Sequence, residues 1–353
     1  MEKFNKTAEE IRQQSDLEQF RKKLVLFGAG DCGHKIYDML HNVGIKPSCF
    51  CDNKVSERID AQTGLPIVRP EALKDKIADS AVLVCAVEDE IYQSMYRQLL
   101  ALGVDDAQIY RMRAYYDRLS MAYFEENIEK YKTVYQLLED EFSREVYLAR
   151  MRKAFLLSDI AEIVSPSSEE YFDENIRLTD EEVFIDCGGF DGDTSMKFIE
   201  RCGGKYKDIV IFEPEQCKIA AIENRLQGYQ YQLFQLGVWS NSTRLHFDAL
   251  ETDGSHVSEQ ESGYTIKAAA LDETVYDRKP TFIKMDIEGS EKEALKGCER
   301  IIKEYRPKLA VCIYHKPEDL FELPLMIKEM NPAYKLYVRQ YSNSSFETVL
   351  YAV

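Results

Sequence analysis

Apolar residues change their period along this chain, and the changes mark its elements. Short unbroken apolar runs occur at Lys23-Leu-Val-Leu-Phe27, Ala81-Val-Leu-Val-Cys-Ala-Val87, Val183-Phe-Ile185, Ile209-Val-Ile-Phe212, Phe282-Ile-Lys-Met285 and Lys308-Leu-Ala-Val-Cys-Ile-Tyr314. Each has the length of a strand buried on both faces. Between them apolar residues recur every three or four positions, as in Ile36, Met39, Leu40 and Val43, or Met196, Phe198 and Ile199. That spacing predicts helices, and strands alternating with helices predict an α/β protein with mainly parallel sheets. Residues 114–178 differ: they hold no glycine and one proline, Pro166. Tyr123, Tyr131, Val134, Leu137, Leu138, Phe142, Val146 and Leu148 fall there at helical spacing, which predicts two or three bridging helices. At the C-terminus, Tyr334 to Tyr341 and Phe346 to Val353 read as an antiparallel hairpin across Ser342–Ser345. The 353 residues suit two domains, expected at 1–113 and 181–353 with a helical linker at 114–180.

Two strand ends carry glycine turns. Lys23–Phe27 runs into Gly28, Gly30 and Gly33, a G-x-G-x-x-G pattern, and Asp52 closes the next strand. In dinucleotide folds an acid at that place takes a ribose, and its carboxylate repels a 2′-phosphate. The same glycines serve equally for close helix–strand packing without any ligand. In Asp186-Cys-Gly-Gly-Phe-Asp-Gly-Asp-Thr194, glycines stand at 188, 189 and 192. Asp193 and Thr194 open a helix. Asp186, Asp191 and Asp193 crowd this turn, which disfavours a pyrophosphate and suits a ligand bearing positive charge and an amine. Glu213, followed by Pro214, ends the next strand where a ribose is held. Sulfonium, amine and ribose together describe S-adenosylmethionine. A strand–glycine–helix unit alone can also be no more than a turn.

The order D-C-G-G-F-D-G-D-T-S from Asp186, I-F-E-P to Pro214, and K-M-D-I-E-G-S-E from Lys284 with Leu295-Lys-Gly297 resembles the FkbM family of S-adenosylmethionine-dependent methyltransferases. The resemblance spans about 180–353, with Gly189 standing where the family commonly has alanine. It implies a class I methyltransferase fold, with a largely parallel sheet finished by an antiparallel hairpin. It also implies sugar or polyketide hydroxyls as acceptors, and places adenine near Gln235, Gly237 and Trp239. The N-terminal pattern, with Phe50-Cys-Asp-Asn53 and Gly64-Leu-Pro-Ile-Val-Arg-Pro-Glu-Ala-Leu73, resembles the Rossmann-like nucleotide-binding domains of bacterial polysaccharide- and sugar-modifying proteins. Those bind NAD or a nucleotide sugar. Asp140-Glu-Phe-Ser-Arg-Glu-Val146 resembles an FkbM-type linker, and Tyr171-Phe172 is a candidate cap on the cofactor mouth.

Asp286, Glu288 and His315 are the candidate catalytic residues. Ligands of wound sheets lie outside the carboxyl ends of the strands, and the last two strand ends should be neighbours. Asp286 or His315 would draw a proton from an acceptor hydroxyl. Alternatively Asp286, Glu288 and His315, with His256 as a further candidate, would hold magnesium or manganese. The competing roles are a helix cap for the two acids and turn packing for the histidine.

A net charge of −17 argues against a nucleic-acid partner. No apolar run reaches the ~20 residues of a membrane span. Nine cysteines, an odd number without paired spacing, read as reduced thiols and hence a cytoplasmic protein. Tyr115, Tyr116, Tyr123, Tyr131, Tyr135 and Tyr147 offer a candidate homodimer face, or pack within the chain. The expectation is an O-methyltransferase acting on a sugar or sugar nucleotide, feeding polysaccharide synthesis. The rivals are a nitrogen, lipid or peptide methyltransferase and a nucleotide-binding regulator without chemistry. A dehydrogenase lacks a Tyr-x-x-x-Lys proton donor.

Overall fold

The computed structural model describes residues 1–14, 23–42, 44–54, 58–73, 80–86, 89–112, 121–155, 165, 169–248, 256–258, 264–342 and 346–353. Two compact units emerge, Met1–Ile128 with Leu148–Ala161, and Glu129–Tyr147 with Glu162–Val353.

In the first unit, α1 (Glu2–Gln14) precedes β1 (Lys23–Phe27), α2 (Asp31–Asn42), β2 (Cys49–Cys51), β3 (Arg58–Ile59), β4 (Pro66–Val68), β5 (Ser80–Cys85), α3 (Asp89–Ala101) and β6 (Ile109–Met112). The sheet order is β3-β4-β2-β1-β5-β6, parallel except for β3. Successive residues of β1 serve opposite faces, as the pleat requires. Leu24 and Leu26 pack with Ile36 and Leu40 of α2, while Val25 and Phe27 pack with Tyr92 and Leu99 of α3. Helices therefore cover both faces, which is why every position of β5 is buried.

The helices expected between the domains are α4 (Met121–Leu137) and α5 (Glu141–Phe155). They form no separate module, because the division between units falls inside both. Tyr131 and Tyr147 are fully buried. Tyr147 donates to Leu320 O at 3.1 Å, and Tyr131 meets Phe321 edge-on. With Tyr135 buried as well, these three are spent inside the chain and offer no docking face. Tyr115 and Tyr116 lie outside the described residues.

The second unit continues with β7 (Val183–Cys187), α6 (Asp193–Arg201), β8 (Asp208–Phe212), α7 (Gln216–Arg225), β9 (Gln232–Phe234), β10 (Gly237–Val238), β11 (Thr243–Asp248), β12 (His256–Ser258) and β13 (Tyr264–Ala269). It closes with α8 (Leu271–Thr274), β14 (Phe282–Met285), α9 (Glu291–Lys296), α10 (Glu299–Tyr305), β15 (Lys308–Cys312), α11 (Asp319–Met330), β16 (Leu336–Gln340) and β17 (Thr348–Ala352). Its main sheet runs β16-β17-β15-β14-β7-β8-β9, and only β17 is antiparallel to its neighbours. That is the class I methyltransferase order with its terminal hairpin. The segments around 237–269 form a second sheet, β10-β13-β11-β12. Strand order reverses at β7, which has β8 on one side and β14 on the other. A crevice opens above such a reversal because the connecting helices depart to opposite faces.

Candidate active site

The glycine turn is shaped by what lies against it. Gly188 has φ +84°, and a Cβ there would stand 1.9 Å from Asp286 O. A Cβ on Gly189 would stand 2.3 Å from the Ile211 side chain. Only glycine lets the turn after β7 nest against both neighbouring strands. Above it lies a cavity of about 420 Å³, lined from β7 and α6 by Gly188, Phe190, Asp193 and Thr194, and from β8 by Phe212, Glu213, Pro214 and Glu215. Leu236, Gly237, Val238, Leu245 and Ile266 form an apolar wall, while Lys284, Asp286, Ile287, Glu288 and Ser290 come from β14 and its turn. Glu170, Tyr171 and Glu347 complete it.

Glu213 sits at the carboxyl end of β8. Its Oε2 accepts from Phe190 N–H and its Oε1 from Glu215 N–H, each at 2.8 Å. Burial pushes its carboxyl up, and these two N–H groups pull it back. The cradle fixes both oxygens against the cavity. Asp193, also in the wall, feels the same upward push from burial, but bonding to Lys197 outweighs it and holds the carboxyl low.

Not every residue expected at the turn reaches the cavity. Asp186 is wholly buried beneath it, accepting from Ser195 Oγ at 2.7 Å and lying 3.2 Å from Lys284 Nζ. Lys284 also donates to Gly188 O at 2.6 Å. Burial lowers the Lys284 ammonium, but the charges of Asp186 and Asp286 outweigh it and raise it. This buried pair therefore ties the floor of the turn together. Asp191 accepts from Asp193 N–H at 3.1 Å and pairs with Arg225, and it is not part of the wall. Gly189, Gly192, Gln235 and Trp239 are also outside the lining. Gln235 is exposed, and Trp239 O lies where a Cβ on Gly297 would be, 2.0 Å away.

On the side of β14 and β15 the expected neighbours do meet. His315 Nε2 lies 3.4 Å from Asp286 Oδ1 and 3.6 Å from Glu288 Oε2, and Nδ1 lies 2.9 Å from Glu291 Oε1. Asp286 also accepts from Tyr171 OH at 2.7 Å and Tyr314 OH at 3.3 Å. Burial would lower the imidazole, yet the surrounding carboxylates, Glu291 first, carry it up to about 10. These carboxylates thus favour the protonated imidazole, the form without a lone pair to act as a base. Burial would raise Asp286, but Lys284 and His315 hold it below the ordinary carboxylate range. Neither acid acts as a helix cap here: Ser290 stands at the N-cap of α9, with no side-chain bond. One ligand atom from each of Asp286, Glu288 and His315 falls within 4.8 Å of the others. The His256 side chain lies outside the described residues.

Tyr171, Phe190, Glu288 and Glu347 have φ between 48° and 68° and all line the cavity. Side chains in that region cost of order 1–3 kcal/mol each and persist only where the surrounding structure holds them. Lys284, Glu170, Phe190 and Glu347 escape sequence reasoning as site residues. A lysine inside an apolar strand directly before Asp286 was the available signal for the first.

Residues 186–339 match the family model of the methyltransferase FkbM domain. That span, rather less than half of the chain, is what resembles an FkbM methyltransferase domain. The match supports a methyltransferase, and with it dependence on S-adenosylmethionine. A solved methyltransferase FkbM from Methylobacillus flagellatus KT is 23% identical, and the match covers 100% of this chain and 98% of that one with a TM-score of 0.74. At that identity the likeness establishes the fold. A precorrin-6y C5,15-methyltransferase from Geobacter metallireducens GS-15 is 12% identical, covering 54% of this chain and 90% of its own, with a TM-score of 0.32. The N-methyltransferase NodS from Bradyrhizobium japonicum WM9, in complex with S-adenosyl-l-homocysteine, is 11% identical over 63% of this chain and 96% of its own, with a TM-score of 0.27. Both are too distant in shape to bear on function. No curated protein matches the chain in sequence. No helix among the described residues is long and apolar enough to cross a membrane.

Proposed function

We propose that this chain methylates a hydroxyl of a sugar-like acceptor. The observation that carries the reading is the pair of strand ends facing one cavity, Glu213 at β8 and Asp286 after β14, on opposite sides of the topological reversal. S-adenosylmethionine would occupy the side of Gly188, Asp193, Thr194, Glu213, Pro214 and Gly237. Glu213, already oriented by two N–H groups, would take the ribose hydroxyls. The apolar wall of Leu236, Val238 and Ile266 suits the adenine ring. The acceptor would lie toward Asp286 and Glu288, where carboxylates can accept from hydroxyls and fix which oxygen meets the methyl group.

Asp286, Glu288 and His315 fit a divalent ion. Their donor set is mixed carboxylate and imidazole, and buried Glu291 stands behind Nδ1, the arrangement that aims Nε2 at a metal. Imidazole favours manganese over magnesium. When bound, the ion would acidify the acceptor hydroxyl. Asp286 would receive the hydroxyl's proton or orient the oxygen, and Tyr171 OH would hold Asp286 in place. A chelator should abolish turnover if this reading is right and leave it intact if Asp286 works alone.

Calorimetry with S-adenosylhomocysteine tests the cofactor side. Glu213→Ala should weaken binding by ~2 kcal/mol or more, the scale of charge-assisted hydrogen bonds. Unchanged affinity would remove Glu213 from the site. For the first unit the proposal is a second nucleotide site at Gly28, Gly30, Gly33 and Asp52, for NAD or a nucleotide sugar. Asp52 Oδ2 accepts from Ala29 N–H at 2.9 Å, which sets the carboxylate against the glycine loop. We infer a place in polysaccharide-precursor modification from the same sugar-like acceptor.

A further inference from the structure

We propose that Arg339 is a positioning residue for the acceptor side of the cavity: through Asp173 it holds the segment that carries Tyr171, and Tyr171 in turn fixes Asp286. The inference rests on the reading of Asp286 as the acceptor-side carboxylate and adds the part of the fold that sets it.

Residues 169–176 form turns, with neither helix nor strand. Tyr171 stands there at φ 68°, buried, with its OH donating to Asp286 Oδ2 at 2.7 Å. A bulky residue keeps that left-handed conformation only where its surroundings over-determine it. Phe172 and Ile176 pack into the core and set how deep the segment sits, but apolar packing has no direction. The pair of Glu169 with Arg201 is exposed and holds little. Asp173 supplies a directional hold. It is buried two residues beyond Tyr171, and its Oδ2 accepts from Arg339 Nε at 2.8 Å while its Oδ1 accepts from Asn175 N–H at 3.0 Å.

Arg339, itself buried in β16, is gripped from the other side by the start of α5. Its Nη2 donates to Asp140 Oδ2 and its Nη1 to Ser143 Oγ, each at 2.8 Å. Ser143 N–H closes the grip by donating to Asp140 Oδ1 at 2.6 Å. Asp140 and Ser143 are the ends of Asp140-Glu-Phe-Ser143, the stretch whose pattern marks a linker in the sequence. A planar guanidinium faces two carboxylates and a hydroxyl at once, which an ammonium cannot do. Charge-assisted bonds out of water are strong and geometrically strict. They draw a continuous line from β16 through Asp173 and Tyr171 to Asp286. The reaction needs such a line, because misplacing a reacting group by about 1 Å costs roughly a hundredfold in rate.

The test uses the full chain labelled with fluorotyrosine, in which the fluorine resonance lost from Tyr171→Phe belongs to Tyr171. Asp286→Asn removes the charged acceptor and should move that resonance. Arg339→Lys should move it in the same direction. Asp173→Asn, which leaves Arg339 on Asp140, should do so too and serves where Arg339→Lys does not fold. The second readout is manganese alone, titrated by calorimetry. Tyr171→Phe and Arg339→Lys should each weaken its binding about tenfold, as loss of a partner behind a metal ligand does. The two together should be no weaker than either one, since they act along one line. Arg339→Lys and Asp173→Asn should keep their affinity for S-adenosylhomocysteine. The proposal is overturned if the Tyr171 resonance stays in place in Asp286→Asn, or in the folded Arg339 and Asp173 variants, because the clamp then only stabilises the fold. It is also overturned if the losses of manganese affinity multiply. A wild type that binds no manganese brings down the metal reading, and the resonance alone then decides the clamp. Manganese binding unchanged in Asp286→Asn brings down the reading of Asp286 instead.

Discussion

Single residues decide most of the chemistry here, and the sequence exposes only those that lie at strand ends. Glu213, Asp286, Glu288 and His315 were legible because a strand followed by a turn predicts where its last side chain stands. Glu170 and Glu347 were not, since turns distant in sequence bring them to the wall. Asp186 and Asp191 look like their neighbours in sequence, yet one faces down to Lys284 and the other sideways to Arg225. Periodicity carries no information on that choice. Glu170 has a further consequence for stability. Its carboxyl is raised from 4.5 to about 7, chiefly by burial and then by Glu347. Between those values the folded chain holds this proton more tightly than the unfolded chain, so Glu170's own contribution to stability is full below pH 4.5 and is lost as pH rises toward 7. Asp319, likewise raised to about 7 by burial and then Glu291, adds the same slope in any variant. Glu170→Gln should therefore flatten the decline. The gain over wild type at pH 8 should be no more than about 3.5 kcal/mol, since each pH unit between the unfolded and folded values is worth about 1.4 kcal/mol. Melting temperatures of ligand-free protein from pH 4.5 to 8 measure this. A variant with the wild-type slope would show that Glu170 is not held in its neutral form.

Elements were more legible than residues, because a strand buried on both faces must be written as an apolar run. β1, β5, β7, β8, β14 and β15 all appear in the sequence as such runs. The second sheet is written differently: β11 and β13 read as β patterns of mixed polarity around a polar loop, while β10 and β12, two and three residues long, are too short to show. At this scale the turn between β7 and α6 is the element under most constraint. Gly188→Ala places a methyl 1.9 Å from Asp286 O at a φ that side chains rarely adopt. The left-handed conformation alone costs about 1–2 kcal/mol, and the clash adds to it. We expect a clear fall in melting temperature together with lost S-adenosylhomocysteine binding; an unaltered protein would mean the turn can rearrange. Lys284→Met removes the partner of a carboxylate with no exposure. Breaking a buried pair from one side costs about 3–5 kcal/mol. Lys284→Met combined with Asp186→Leu should recover much of that loss in chemical denaturation, since neither member of the pair is then left buried without the other. If the double variant is no more stable than the single one, the pair is not what holds the turn.

Across the whole molecule one device occurs twice: an acid ending the second strand accepts from the N–H of a glycine loop, Asp52 from Ala29 and Glu213 from Phe190. In the second unit this device borders a cavity in a methyltransferase domain. In the first it supports the proposal of a separate nucleotide site, and the glycines there divide into two kinds. A Cβ on Gly33 would stand 2.0 Å from Gly28 O, so Gly33 serves the contact of α2 with β1. A Cβ on Gly30 would meet nothing within 4 Å, so that position leaves space over the loop. Gly33→Ala should therefore destabilise the protein whether or not a ligand is present. Gly30→Ala should fold normally and lose only ligand binding, because its methyl fills the space a phosphate would approach. The measurement is the melting temperature of the full chain, with S-adenosylhomocysteine present so that the methyl-donor site is occupied. NAD, NADP, UDP-glucose and GDP-mannose are added in turn. NAD or a nucleotide sugar should raise the melting temperature of the wild type and not of Gly30→Ala. NADP should do less, since the Asp52 carboxylate repels a 2′-phosphate, and Asp52→Asn should narrow that difference. If none of the four shifts the wild type, or if the shift persists in Gly30→Ala, the glycine loop of the first unit is packing and the only nucleotide-like ligand is the methyl donor.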